Sequence, residues 1–313
     1  MSLDRLIRAI EEKNNPTVAG LDPRLEYIPG FIKQEAYARF GQTLEGAAAA
    51  IRRYNRRLID ALCDIVPAVK PQCAYYEMFG WQGVKVLHDT ISYARQKGMF
   101  VITDGKRNDI GSTVEAYAAA HLGTIGVGEA THTPFGGDAL TVNGYLGSDG
   151  IRPLLKVCEQ EDKGIFVLVK TSNPSSGELQ DRLIDGRPVY EIMGEMAEDW
   201  GKEQRGEFGY SSVGAVVGAT YPEQLKELRQ KLPHTFFLVP GYGAQGGGAT
   251  DVAGAFDAQG RGAVINSSRA ILCAYQKEGC AEDDFAAAAR REAERMRDEI
   301  NGVLGKTGGY SHR

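Results

Sequence analysis

Short apolar runs alternate with amphipathic stretches along most of the chain. A continuous apolar run is typical of a strand buried on both faces, as in a parallel sheet covered by helices. Eight such runs in a chain of 313 residues predict an α/β fold with a (β/α)8 TIM barrel. The runs are 17–21, 65–70, 99–103, 139–143, 165–169, 212–217, 235–239 and 262–266.

The segments outside these runs have helical patterns. Residues 31–61 contain an Ala-rich amphipathic run between the first two strands. Residues 1–16 predict an N-terminal helix under the barrel, and residues 283–304 predict a charged, Ala-rich terminal helix. The tail 305–313 is expected to be loose. With no interior linker or repeat, the whole chain is predicted to be one domain.

Two loops that follow predicted strands are long and rich in glycine or small polar residues. Residues 173–189 follow the fifth strand, and residues 241–262 follow the seventh. Long connections in a compact domain often bind or cover a ligand. Because the active site of a TIM barrel lies at the carboxyl ends of its strands, both loops are candidates for ligand contacts.

A charged motif follows the third apolar run. Asp104 and Lys106 are two positions apart, and Asp109 comes shortly after them. Residues two apart on a strand point to the same side, so the first two side chains are expected to be neighbours. Such a pair keeps both groups charged and suits an acid that delivers a proton to a developing carbanion. The alternative is an ordinary surface salt bridge.

Other polar residues end neighbouring strands. Asp22 follows the first strand, Lys70 ends the second, Asn143 the fourth, and Ser172 follows the fifth. Asp22 precedes a proline and could be a simple turn residue. A lysine that closes an apolar strand needs a counter-charge, and Asp104 is the natural one.

A phosphate site is predicted where the last two strands end. A glycine-rich segment with Gly243 and Gln245 follows the seventh strand, and Arg269 follows the eighth. Glycines let backbone N–H groups approach an anion, a helix N-terminus adds partial positive charge, and arginine binds phosphate oxygens in a bidentate manner. A flexible linker is the alternative for the glycine segment taken alone.

The composition of the chain argues against several classes of binding partner. A net charge of −5 and a pI near 5.7 argue against a nucleic-acid partner. The five cysteines lack metal-ligand or disulfide-framework spacing, and the five histidines show no metal-ligand spacing, so no metal site is predicted. No apolar run approaches the roughly 20 residues of a membrane span, and the N-terminus lacks a signal-peptide pattern. We therefore expect a cytoplasmic protein with free thiols and no membrane partner.

The segment from Phe100 to Thr113, with its apolar strand, Asp-x-Lys-x-x-Asp and Ile-Gly-Ser-Thr, resembles the signature of the orotidine 5'-phosphate decarboxylase family, in its longer bacterial branch. The resemblance implies an alternating Lys-Asp-Lys-Asp network whose fourth member is supplied by the partner subunit of a homodimer. It also implies contacts to ribose, pyrimidine and phosphate. The positions that match the network are Lys70, Asp104, Lys106 and Asp109, and those that match the ribose contacts are Asp22 and, from the partner, Thr113. Ser172 matches the pyrimidine contact, and Gln245 matches the residue that links the base and the phosphate. Gly243 and Arg269 match the phosphate contacts.

The resemblance implies decarboxylation of orotidine 5'-phosphate to uridine 5'-phosphate, the last step of de novo pyrimidine nucleotide synthesis, without a cofactor. The chain departs from many relatives at Ser268, where they have glycine before the arginine. Three other readings stay open: a Mg²⁺-dependent sugar-phosphate decarboxylase or epimerase, a Schiff-base aldolase that uses Lys106, and a non-enzymatic nucleotide-binding protein.

Overall fold

Helices and strands alternate along the chain in a computed structural model that describes residues 1–243 and 247–305. Eight parallel strands form a closed barrel in the order β1-β12-β11-β10-β7-β6-β3-β2. The predicted TIM barrel is therefore confirmed, and each of the eight apolar runs contributes one barrel strand. The strands are β1 (Thr17–Leu21), β2 (Ala68–Pro71), β3 (Phe100–Arg107), β4 (Ile125–Val127), β5 (Ala130–His132), β6 (Ala139–Val142), β7 (Gly164–Lys170), β8 (Leu183–Ile184), β9 (Arg187–Pro188), β10 (Val213–Val217), β11 (Phe237–Val239) and β12 (Ala263–Ser267).

Most of the helices lie between consecutive barrel strands, as right-handed crossovers in a parallel barrel require. Short 3₁₀ turns occur at Leu25–Tyr27, Pro174–Glu178, Ala253–Ala255 and Glu282–Asp284. The α-helices are α1 (Ser2–Glu12), α2 (Gly30–Phe40), α3 (Leu44–Leu62), α4 (Ala74–Glu77), α5 (Gly80–Gln96), α6 (Gly111–His121), α7 (Ser148–Glu161), α8 (Val189–Gly201), α9 (Pro222–Lys231), α10 (Ala249–Val252), α11 (Arg269–Leu272), α12 (Ala274–Glu278) and α13 (Phe285–Val303).

The N-terminal helix α1 packs against the barrel interior. Leu3, Leu6, Ile7 and Ile10 recur at helical spacing, are buried, and belong to one apolar cluster with strand residues such as Phe166. Ser2 Oγ donates a hydrogen bond to Asp138 O (3.0 Å), just before β6 begins. These contacts place α1 at the amino ends of the strands, which is the face opposite the expected active site.

The Ala-rich segment 31–61 is divided in the structure. Helix α2 ends before Gly41, whose φ of 71° lies in the left-handed region. Helix α3 then begins after Thr43, whose Oγ1 accepts a hydrogen bond from Gly46 N (3.1 Å). A glycine stop followed by a threonine N-cap makes two helices out of one apolar pattern.

The described chain also contains two small antiparallel sheets outside the barrel. Strands β4 and β5 form an exposed hairpin that the sequence pattern did not reveal, and β8 pairs with β9 inside the predicted loop 173–189. Residues 306–313 of the predicted tail lie outside the described residues. Single-domain organisation stays a prediction. None of the helices in the part of the chain described here is long and apolar enough to cross a membrane.

Candidate active site

Two lysines flank one aspartate at the carboxyl end of the barrel. Lys70 Nζ lies 2.7 Å from Asp104 Oδ2, and Lys106 Nζ lies 2.7 Å from Asp104 Oδ1. Lys70 is the penultimate residue of β2, and the other two residues belong to β3, which pairs with β2 in parallel. The structure therefore brings three of the predicted catalytic side chains into direct contact.

Lys106 contacts Asp104 through an irregular stretch of β3, and not through the regular alternation of side chains that the sequence analysis assumed. The pairing of β3 with β6 shifts register between Thr103 and Arg107, and Lys106 has a φ of 49°. A lysine in the left-handed region carries a conformational cost, of the kind often found at functional sites. The bulge turns the side chain back towards Asp104, so the predicted neighbours meet through irregular backbone.

Thr141 on β6 stabilises this bulge. Its Oγ1 donates a hydrogen bond to Asp104 Oδ1 (2.8 Å) and accepts one from Lys106 N (3.0 Å). It is buried and connects the carboxylate with the backbone of the lysine. Thr141 was not among the predicted site residues, because nothing in the sequence pattern shows what its hydroxyl contacts.

Burial and charge act in opposite directions on the pair Lys70 and Asp104. Burial alone would lower the pKa of Lys70, but the carboxylates of Asp104 and Asp22 raise it overall. Burial alone would raise the pKa of Asp104, but the ammonium groups of Lys70 and Lys106 hold that pKa well below its usual range. Both groups are therefore charged, and Lys106, with 45% of its side chain exposed, is the member open to a ligand.

Asp22 follows β1 at the same end of the barrel. Its carboxylate is close enough to raise the pKa of Lys70. Its Oδ1 is buried and has no hydrogen-bond partner among residues 1–243 and 247–305, and the same holds for Oδ1 of Asn266 on β12. Buried acceptors without partners suit ligand hydroxyl or amide donors. Asn266 was not among the predicted site residues.

The residue that departs from the family pattern, Ser268, faces the first strand. A Cβ atom at Gly20 would lie 1.8 Å from Ser268 Oγ, so glycine is needed there for the two segments to approach. Asn266 Nδ2 donates to the same hydroxyl at 3.4 Å. The serine side chain therefore occupies space that Gly20 leaves open.

Asp109 and Thr113 lie apart from the Lys70–Asp104–Lys106 cluster. Within the described chain Asp109 forms no ion pair, and its Oδ1 accepts a hydrogen bond from Ile110 N (2.7 Å). Thr113, near the start of α6, is exposed. Asn108 anchors this segment, because its Nδ2 donates to Gly150 O on α7 (2.9 Å).

Ser172 follows β7 and lies against the residues that follow the neighbouring barrel strand, β10. Its carbonyl accepts a hydrogen bond from Thr220 Oγ1 (3.3 Å), and Gly218 N donates to Lys170 O (2.7 Å). A Cβ atom at Gly218 would lie 2.9 Å from the backbone of Ser172, so the close approach depends on that glycine. Lys170 itself is completely buried and was not among the predicted site residues.

The predicted phosphate residues Gly243 and Arg269 line one cavity of about 480 Å³, with Lys277 at its wall. The guanidinium of Arg269 forms no ion pair or hydrogen bond with another described side chain, and Gly243 has a φ of 75°. The helix after the eighth barrel strand, α11, has only four residues, so its dipole adds less than the sequence suggested. Gln245 lies outside the described residues.

A closed parallel barrel with a charged cluster at its carboxyl end has the form of a TIM-barrel enzyme. A family profile described as "Orotidine 5'-phosphate decarboxylase / HUMPS family" matches residues 43–283. A curated protein of that name from Rhodopirellula baltica is 46% identical over 302 residues, which cover 95% of this chain and 98% of that protein. A second from Caldicellulosiruptor bescii is 41% identical over 301 residues, covering 96% and 98%. The chain therefore belongs to the orotidine 5'-phosphate decarboxylase / HUMPS family, as its sequence signature indicated.

Solved structures agree with this assignment. The chain is similar to the Leishmania donovani OMP decarboxylase, with a TM-score of 0.73, 31% identity, and coverage of 97% of this chain and 98% of that one. It is also similar to a putative orotidine-monophosphate decarboxylase from Toxoplasma gondii, with a TM-score of 0.76, 30% identity, and coverage of 96% and 98%.

Proposed function

We propose that this protein decarboxylates orotidine 5'-phosphate to uridine 5'-phosphate. The observation that carries the proposal is the buried Asp104 between Lys70 and Lys106 at the mouth of the barrel. Curated relatives that share 40–46% of their residues with this chain carry the name of this enzyme. The charge cluster suits the chemistry that their name describes.

The reaction requires stabilisation of a carbanion. When the bond from C6 to the carboxylate breaks, CO₂ leaves and the electron pair stays on C6, which has no adjacent carbonyl to accept it. The ammonium of Lys106 would stabilise this pair electrostatically and then donate its proton to C6. Asp104 keeps Lys106 in place and, beside the substrate carboxylate, would disfavour the ground state. Lys70 keeps Asp104 charged.

The other predicted residues would bind the nucleotide. The buried, unpartnered Oδ1 of Asp22 would accept a hydrogen bond from a ribose hydroxyl. Ser172 would contact the pyrimidine amide. Gly243 and Arg269 would hold the phosphate in the cavity that they share, with Gln245 linking phosphate and base. Binding energy from these remote groups can then be used to position C6 against Lys106.

A homodimer would complete the site. Asp109 is the one predicted member of the Lys-Asp-Lys-Asp network that has no hydrogen bond or ion pair to the other three within the described chain, and Thr113 is exposed. A second copy could present both residues to this site in a two-fold symmetric pair, in which each surface meets its own equivalent. Asp109 would then extend the network to Lys-Asp-Lys-Asp.

The donor set favours this proposal over a Mg²⁺-dependent sugar-phosphate reaction. Both oxygens of Asp104 are engaged by ammonium groups, so two positive charges face one carboxylate where a cation would need to bind. An aldolase reaction at Lys106 is disfavoured by the same contact, because an adjacent carboxylate keeps the amine protonated.

The proposal is tested by following the ultraviolet absorbance of orotidine 5'-phosphate in excess chelator. We expect rapid conversion by the wild type and a loss on the order of 10³-fold or more in Lys106→Ala, because that variant lacks both counter-ion and proton donor. Lys202→Ala, which changes an exposed lysine just after the end of α8, serves as the control. Absence of conversion by the wild type, or equal rates for wild type and Lys106→Ala, would contradict the proposal.

A further inference from the structure

A further lysine lies at the carboxyl end of a barrel strand, on β7, which is separated from β3 by β6. Lys170 is the last residue of β7, and its side chain is completely buried. Burying an ammonium without compensation is strongly unfavourable, so its partners must be fixed in the folded protein.

The partners of Lys170 come from segments that surround the carboxyl end of β7. Its Nζ lies 2.5 Å from Asp181 Oδ1 and 3.4 Å from Ser176 Oγ, both in the loop 173–189. The same nitrogen lies 4.3 Å from the ring centroid of Tyr221 and 5.5 Å from that of Tyr190. Asp181 is 43% exposed, so the lysine, not the aspartate, depends on this pair for compensation.

The loop that supplies Asp181 also contacts the residues next to Ser172. Gln180 Oε1 accepts a hydrogen bond from Thr171 N (2.9 Å), and Gln180 Nε2 donates to Thr171 Oγ1 (2.7 Å). Gln180 N in turn donates to Ser176 O (2.9 Å). The backbone that carries Ser172 is thus held from one side by the loop.

We propose that Lys170 is a positioning residue for pyrimidine recognition: its buried ion pair with Asp181 docks the loop 173–189 on the end of β7 and thereby orients Ser172. The inference rests on the proposed function, because it assigns Ser172 to the substrate. If the loop moves away, the ammonium of Lys170 loses its only ion-pair partner in the described chain. Leaving this ammonium without its counter-charge costs free energy, and this cost favours the docked position of the loop.

A double-mutant cycle tests the link to Ser172. We expect Lys170→Met to lower kcat/KM for orotidine 5'-phosphate about tenfold, chiefly through KM, because the variant displaces a binding contact without touching the charge cluster. In a Ser172→Ala background the same change should cost less than twofold, because the contact that Lys170 positions is already absent. Equal losses in both backgrounds would show that Lys170 does not act through Ser172 and would overturn the inference.

Two further variants check the ion pair from the side of the loop. Asp181→Asn changes a partly exposed residue, so the barrel should fold, and it should reproduce the KM effect of Lys170→Met. Asp181→Glu keeps the charge and should restore KM to within about threefold of wild type. The matched control is Lys202→Met, because Lys202 pairs with Asp199 at 2.9 Å on the surface. If Asp181→Asn left KM unchanged, the ion pair would not position the site.

Hydrogen exchange separates this inference from the proposed function. In Lys170→Met, amides of residues 173–189 should exchange at least about tenfold faster, whereas those of β1 and β12 should keep their wild-type rates. If the wild type does not convert orotidine 5'-phosphate, the proposed function fails, and local exchange still decides whether Lys170 docks the loop. Unchanged exchange in 173–189 would refute the docking itself.

Discussion

At the residue scale, the site is a balance of buried charges. Lys70 and Asp104 have side chains that are only 6% and 9% exposed, and each stabilises the charged form of the other. Lys106 adds a second positive charge at the open side of the carboxylate. Removing one member therefore affects the folded protein as well as the chemistry.

The two buried members of the cluster should differ in their effect on stability. Asp104→Asn leaves two ammonium groups facing a neutral amide, and we expect a loss of about 3 kcal/mol in the free energy of unfolding. Lys70→Met leaves Asp104 paired with Lys106 and bonded to Thr141, so the loss should be smaller, about 1 kcal/mol. Urea unfolding measures both. The opposite order of stabilities would contradict the assigned charge balance.

A buried histidine makes stability depend on pH. Burial, with a contribution from Arg107, lowers the pKa of His121 to about 4 from 6.5, and the ring stacks on Phe135. The unfolded chain therefore binds more protons between these pH values. The contribution of neutral His121 is fully present above pH 6.5 and is lost as the pH falls towards 4.

His121→Phe should remove this pH dependence while keeping a stacked ring. Between pH 6.5 and 4.5 the wild type should lose about 2 kcal/mol more stability than the variant, as measured by urea unfolding at each pH. His132→Phe is the control, because His132 is exposed on the hairpin β4–β5. Parallel pH profiles for wild type and His121→Phe would show that His121 does not cause the slope.

At the element scale, helix α1 is separated from the chemistry by the length of the barrel. Its buried face packs against the barrel interior at the amino ends of the strands, whereas the charge cluster lies at the carboxyl ends. Stability and activity should therefore respond separately to changes at the two ends, as expected for this architecture.

Leu6→Ala tests this separation. Leu6 is fully buried, so its truncation should leave a cavity and cost about 3 kcal/mol in the free energy of unfolding. At a temperature where the variant remains folded, kcat and KM for orotidine 5'-phosphate should stay within about twofold of wild type. Arg8→Ala, on the exposed face of α1, is the control for stability. A large kinetic change in folded Leu6→Ala would mean that α1 influences the site.

At the scale of the whole molecule, the proposed active site is complete only in the proposed dimer. One chain supplies Lys70, Asp104 and Lys106 from adjacent strands, but Asp109 stands apart. Ile110 and Thr113, which follow Asp109 in the chain, are both exposed. A site shared between two copies makes activity a property of the pair.

Subunit mixing gives a direct measurement. Lys106→Ala and Asp109→Ala should each be nearly inactive alone, but an equal mixture that exchanges subunits should recover about one quarter of wild-type activity. Half of the pairs are then mixed, and each mixed pair has one intact site. Mixing Lys106→Ala with the double variant Lys106→Ala/Asp109→Ala should recover none. If differently tagged subunits exchange and no activity returns, Asp109 does not cross a subunit boundary.

Much of the barrel and the composition of the site could be predicted from local patterns. Eight apolar runs became eight barrel strands, because buried parallel strands need continuous apolar sequence. The positions of Asp22, Lys70, Asp104 and Lys106 at strand ends followed from the same pattern. The hairpin β4–β5 was missed, because short exposed strands leave little periodic signal. The break at Gly41 was missed because one apolar pattern extends over both helices that it separates.

The sequence by itself determined the fold class, the family and the charged residues at the mouth of the barrel, because these depend on patterns within a few neighbouring positions. Only the tertiary structure decided how they meet. The bulge that turns Lys106 towards Asp104 depends on pairing with β6, and Thr141 reaches Asp104 across 37 positions of sequence. The burial of Lys170 depends on strands and a loop that surround it from several sides. Such contacts are set by the packing of distant segments, which no local pattern records.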